Sequence, residues 1–222
     1  MLRRIALGLL LLLICMPMLA SNMGFTLNLA LKTNFVAPGP MGDNWIALPY
    51  DVPWTTAKDL CTARFANSPS VTLTRLNAAT GGATSFNCAL SGGFVIDHSA
   101  VGIRVRITSG TPGSVLVIGQ HDETMPLPTI TGGWVSPGPK GDNWISLPYN
   151  CTWKTAEDVC VGLGLIGIGS GGQITRLNAF TGAASTHICG LSSNNFDLTP
   201  GQAIRVRKTT AGDITGVIPP HE

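Results

Sequence analysis

Charge is scarce in this chain. Asp, Glu, Lys and Arg make up 12% of its 222 residues, and the formal net charge is +2. Arg3 and Arg4 lie in an N-terminal segment with the pattern of a removable leader; without them the 14 Lys and Arg fall level with the 12 Asp and Glu. A chain with no basic excess lacks the electrostatic footprint of nucleic-acid binding, so no nucleic-acid partner is expected. Histidine is scarcer still, at four residues. No CxxC pair and no Gly-x-Ser-x-Gly elbow is present, so neither a cysteine-ligated metal nor a Ser/His/Asp triad has support, and no cofactor is expected. The longest apolar run, Ile5 to Met16, falls short of the roughly 20 residues a membrane helix needs.

What is abundant is repetition. Gly42-Asp43-Asn44-Trp45-Ile46-Ala47-Leu48-Pro49-Tyr50 returns as Gly141-Asp142-Asn143-Trp144-Ile145-Ser146-Leu147-Pro148-Tyr149. Phe35 and the Pro-Gly-Pro turn after it match Trp134 and its own Pro-Gly-Pro. Trp54, Ala57, Asp59 and Cys61 match Trp153, Ala156, Asp158 and Cys160; Thr74 to Ala78 match Thr175 to Ala179; Cys88 matches Cys189; Ile103 to Arg106 match Ile204 to Arg207. The period is about 100 residues, the size of a small domain and far beyond solenoid repeats. Two tandem domains follow, at 22–124 and 132–222, with residues 125–131 as a linker because Pro126 and Pro128 suit an interdomain joint.

Residues 1–21 carry the marks of a secretory signal peptide. A basic start, the apolar run, and Leu19-Ala20-Ser21 place cleavage after Ala20 or Ser21. A lipoprotein site at Cys15 fails because Ile14 is too large for the residue before a lipidated Cys. Gly24-Phe25-Thr26-Leu27 looks like a pilin cleavage site, but there the apolar helix follows the site, whereas here it precedes it. The chain is therefore expected to be secreted or at the cell surface, with the periplasm as the alternative, and free of membrane after cleavage.

Cys61 and Cys88 recur as Cys160 and Cys189, which in an exported chain argues for one disulfide per domain. Closing such a loop stabilises by about 3–4 kcal/mol on the chain-entropy model. Cys151 is left over, where the first copy has Val52. Three roles stay open for this unpaired thiol: a small buried side chain, an intermolecular bridge, or an alternative partner for Cys160 or Cys189.

The pattern along one module is mainly β. Met23 to Leu31 alternates weakly as an opening strand with no evident twin in the second copy. In the Asn-Trp-Ile strand, alternation puts Ile46, Leu48 and Tyr50 on a core face and Trp45, Ala47 and Pro49 on a partly exposed one. Thr56 to Asp59 and Thr155 to Asp158 fit a capping box opening a short helix. Further strands are expected at Val71–Asn77, Ala83–Leu90, Ile103–Thr108 and Val115–Ile118. Six strands and one helix suggest a β-sandwich-like domain, twice.

Other features were weighed for chemistry. Gly162 to Gly167 spells GxGxxG, but a dinucleotide loop needs a strand before and a helix after, the reverse of the order here. His121 and His221 recur beside acids, as polar module ends. Arg104 and Arg106, like Arg205 and Arg207, share one strand face, which suits either a solvated surface or a carboxylate or sulfate ligand. Trp45, Trp54, Trp144 and Trp153, with Asn44 and Asn143 adjacent, are the candidate ligand-binding residues, because flat aromatic faces stack on sugars or grip proteins. Filling the core is the alternative use of these Trp.

The Asn-Trp-Ile-Ser-Leu-Pro strand, the Ala-x-Asp helix and Leu198-Thr199-Pro200-Gly201 before Ile204-Arg205-Val206 resemble a duplicated β-rich module of secreted bacterial proteins, a family without settled function. The first copy lacks the Pro-Gly. The resemblance implies an exported bacterial protein and no catalytic residues. The expected function is non-enzymatic, structural or adhesive, at the cell surface or in the extracellular matrix. Polysaccharide, other surface proteins and further copies of the chain are the candidate partners, and paired sites would supply avidity. A carbohydrate-binding protein using the paired Trp is one alternative, and an unrecognised secreted hydrolase another.

Overall fold

The computed structural model describes residues 25–35, 37, 39–48, 52–96, 101–110, 114–119, 122, 124–167 and 169–221. The signal peptide, His98, His121, Pro49 and Tyr50 lie outside the described residues. The first module comprises β1 (Phe25–Ala30), β2 (Asn44–Ile46), α1 (Ala57–Phe65), β3 (Val71–Leu76), β4 (Ala83–Asn87), β5 (Ile103–Ile107) and β6 (Ser114–Gly119). The second comprises β7 (Asn143–Ile145), α2 (Ala156–Gly162), β8 (Gly172–Leu177), β9 (Ala184–Ile188) and β10 (Ile204–Lys208). Both build an antiparallel four-stranded sheet of the same topology, β2-β5-β3-β4 and β7-β10-β8-β9. The chain is mainly β, in two sandwich-like halves.

Alternation explains the strands. In β5, Ile103, Val105 and Ile107 are buried while Arg104 and Arg106 are half-buried on the other face. The apolar face of each sheet packs on its helix: Val71, Leu73 and Val105 meet Leu60 and Phe65 in the first core, and Ile174 and Val206 meet Val159 in the second. Each such side chain contributes about 1.5–3 kcal/mol by leaving water.

Both helices start as the pattern predicts. Thr56 accepts from the backbone of Asp59, whose carboxylate accepts from Thr56, and Thr155 and Asp158 repeat the arrangement. Hydrogen bonds from the Thr56 side chain, then the Thr55 side chain and the two backbone N–H groups, lower the pKa of Asp59 below the ordinary aspartate value. For Asp158 burial pushes upward, but the N–H groups of Thr155 and Lys154 and the Thr155 hydroxyl outweigh it, so its value also falls. A depressed carboxylate contributes stability above its unfolded value of about 3.9 and loses it as pH falls through the folded value. Asp59→Asn/Asp158→Asn is therefore expected to melt below the parent at pH 7, with the gap closing below about pH 4 in thermal melts. Thr155→Ala should cost about 1 kcal/mol.

The disulfides are Cys61–Cys88 and Cys160–Cys189, each tying a helix to the end of a strand. Cys151 is unbridged and buried, accepts a hydrogen bond from the Trp153 N–H at 3.4 Å, and has its thiol pushed up by burial. Of the three roles open to it, this placement is that of the small buried side chain.

Residues 125–131 are not a free linker. Leu127 and Ile130 are buried in the second core. Leu127 N–H donates to Val217, and Ile130 and Ile214 exchange backbone bonds. The segment is the twin of β1, which pairs with β6 in the first module just as 127–130 pairs with 214–217 here. Pro126 and Pro128 suggested a linker, but proline removes only its own N–H, and the residues bonded here are Leu127 and Ile130.

Candidate functional site

The recurrent motifs converge on one place, the joint between the modules. Trp45 and Trp144 stack face to face there, centroids 3.6 Å apart and planes 2° from parallel. Both are 6% exposed, and with the buried Ala203 and half-buried Leu76 and Leu177 they form a third apolar cluster separate from the two cores.

The backbone bonds around the stack come in reciprocal pairs. Gly42 N–H donates to Ala179 and Gly141 N–H to Ala78, both at 2.7 Å. Gly102 N–H donates to Trp144 at 2.9 Å, and Ala203 N–H to Trp45 at 3.1 Å. Bridges Val101–Ile145 and Ile46–Gln202 follow the same rule. Each pair exchanges equivalent positions, which is the signature of an isologous two-fold contact, here within one chain. Thus the loop before each Asn-Trp-Ile strand docks on the Thr-Gly turn of the other module. That turn needs glycine twice over: Gly81 and Gly182 sit at φ +74° and +72°, and a Cβ on Gly81 would lie 2.9 Å from the Lys140 backbone nitrogen.

A charged column runs outward from the stack on both sides. Trp45 faces Arg104 and Trp144 faces Arg205 in register, with each guanidinium 5.7 Å from its ring. Asp43 takes Arg106 through two hydrogen bonds, one of them from Nη2 at 3.1 Å, and lies 3.8 Å from Arg104. Asp142 holds Arg207 in the same way and lies 3.6 Å from Arg205. Arg106 then covers Phe35 at 4.3 Å and Arg207 covers Trp134 at 4.1 Å. Burial lowers the pKa of Arg104 and Arg205, as does each neighbouring Arg, while Asp43 and Asp142 offset this. These arginines do meet carboxylates, but internal ones.

Asn44 and Asn143 are brackets. Asn44 Oδ1 accepts from Lys32 N–H at 2.7 Å, and its Nδ2 donates to the carbonyls of Lys32, Gly42 and Val105. Asn143 does the same with Thr131, Gly141 and Val206. Trp54 lies in the first core beneath Arg64, 5.1 Å away, and Trp153 packs half-buried on the second. The candidate ligand-binding set is thus spent on architecture. The face expected to be partly exposed, Trp45 and Ala47, is buried because the other module covers it, whereas Tyr149, expected in a core, is half exposed.

An open cleft lies beside the joint. It holds about 580 Å³ between β1 of the first module and the β8–β9 turn of the second. Asn28, Arg176, Phe180, Ser185, Thr199 and Gln202 line it. Phe180 is 52% exposed, and the first module has Ala79 in its place. Composition offered no signal for this site, since its walls come from segments far apart in the chain; Phe180 against Ala79, and the Pro200-Gly201 that the first copy lacks, were visible differences. Among the described residues no helix is long and apolar enough to cross a membrane. No protein-family model matches the chain, and no curated protein and no solved structure was found similar to it.

Proposed function

We propose that this is an exported, non-enzymatic structural or adhesive protein of the cell surface or extracellular matrix. The observation that carries the proposal is the joint. The residues a duplicated reactive site would repeat, Asp43, Asn44, Trp45, Arg104 and Arg106 with their twins, are engaged in locking two modules together. A pre-joined, disulfide-tied pair suits a component that bears load or presents a fixed surface, and two disulfides suit an oxidising compartment. Fractionation of producing cells tests this. The protein is expected with surface or matrix material and open to added protease on intact cells; recovery wholly as free protein in the medium would refute it.

The cleft favours carbohydrate binding as a second reading. Polar groups, Arg176 the charged one among them, around one exposed aromatic suit a sugar ring stacked and hydrogen-bonded at once. Phe180→Ala is expected to weaken retention on insoluble polysaccharide at least tenfold without moving the Tm. Retention that survives the change, or none in the parent, removes the reading.

A further inference from the structure

Beside its disulfide the second module carries two residues that the first lacks. Glu157 stands where the first has Lys58, and His187 where it has Phe86. His187 is fully buried. Its Nδ1 lies 3.1 Å from the Ser193 carbonyl oxygen, and its Nε2 lies 2.6 Å from Glu157 Oε2. A carbonyl only accepts, so Nδ1 carries a proton and Nε2 is the nitrogen left to face the carboxylate, one proton lying between them. Glu157 Oε2 also accepts from Gly190 N–H at 3.3 Å.

A Cys160 sulfur completes this cluster: ligand atoms of Glu157, Cys160 and His187 all lie within 4.8 Å of one another. Cys189 Sγ is bonded to that same sulfur, so a fourth donor sits at the spot. While the disulfide is intact neither sulfur is a thiolate, and thiolate is the form that ligates metal. Once the bond is reduced, the Cys160 thiolate joins the imidazole nitrogen and the carboxylate oxygen already grouped within 4.8 Å, and the Cys189 thiolate lies beside it, a donor set that suits tetrahedral Zn²⁺. The Nδ1–H contact to Ser193 is the outer hydrogen bond that fixes a metal-binding imidazole with Nε2 inward.

We propose that the Cys160–Cys189 disulfide is the oxidised form of a zinc-type site whose ligands are Cys160, Cys189, His187 Nε2 and Glu157, and that the first module has no such site. A dithiol transfers its two hydrogens to the S–S bond, giving two thiols and its own disulfide; a phosphine does the same with one water, whose two hydrogens go to the thiols and whose oxygen ends in the phosphine oxide. A divalent ion then displaces the two thiol protons and the proton held between His187 and Glu157, so three protons leave. The metal would hold helix α2 to the end of β9 in place of the covalent bond.

Cobalt titration of the full exported chain, reduced anaerobically with a phosphine, tests the site. Thiolate-to-cobalt absorption reports the ligands and native mass spectrometry the stoichiometry. One equivalent is expected per reduced chain and none per oxidised chain. Cys61→Ser/Cys88→Ser should keep it, and His187→Phe should weaken it at least tenfold. Should His187→Phe fail to fold, Glu157→Lys, which restores the first module's residue at a partly exposed position, carries the same expectation. Absence of reductant-dependent uptake, uptake of two equivalents, or uptake indifferent to both substitutions would overturn the proposal.

Discussion

Trp144→Ala is expected to cost about 3–5 kcal/mol and to separate the two modules, although Trp144 belongs to neither core. The loss has two parts. One is the apolar area of an indole that is 6% exposed. The other is the partner ring, since Trp45 at 3.6 Å would then face a void at the joint. Trp45→Ala should cost a similar amount. The double substitution should cost clearly less than the sum, because both changes remove one contact. Thermal unfolding followed by calorimetry is expected to pass from one transition to two, and small-angle scattering to show a larger radius. A surface pair of ligand-binding Trp would behave otherwise: stability would hold and only binding would fall. Variants that keep the parental Tm and radius would remove the stack as the source of rigidity.

The same joint explains why some features were legible in the sequence and others were not. Capping boxes at Thr56 and Thr155 are local, so four consecutive residues suffice to find them. The disulfides could be paired because Cys61 and Cys88 recur together as Cys160 and Cys189. Strand faces came through where one side meets a core, as in β5. Trp45 did not, because what buries it is the other module, and period-two alternation has no term for a second domain. Asn44 looked like a ligand contact because it could supply hydrogen bonds beside a Trp face; its partners, the backbone of Lys32 and Val105, are invisible in residue identities. One signal did point to the joint. A two-fold contact uses the same patch twice, so both copies must keep it. Asp-Asn-Trp, the Thr-Arg-Leu-Asn-Ala strand end and the Thr-Gly turn are among the parts retained without change. They are also the parts that touch across the joint or brace the residues that do.

Asn143→Asp is the other change expected to be severe, and it keeps size and shape. Asn143 Nδ2 donates to the carbonyls of Thr131, Gly141 and Val206 at 3.1, 2.9 and 3.0 Å. An aspartate places a second acceptor, charged at neutral pH, against three acceptors in a site 3% exposed. The Nδ2 donor shared by those three carbonyls is lost. Asn143→Ala leaves the same groups and the Thr131 N–H without a side-chain partner, at about 1–3 kcal/mol for each one that water cannot reach. It should destabilise by about 3 kcal/mol in denaturant melts. Asn143→Asp should destabilise more than Asn143→Ala, because the buried charge adds to the lost bonds. Asn44→Asp should do the same in the first module, where Lys32, Gly42 and Val105 are the partners. The ordering is the decisive observation. If Asp were tolerated better than Ala at either position, size rather than hydrogen bonding would be what the bracket requires. If both were neutral, the bracket would not hold the segment before each Asn-Trp-Ile strand against its sheet.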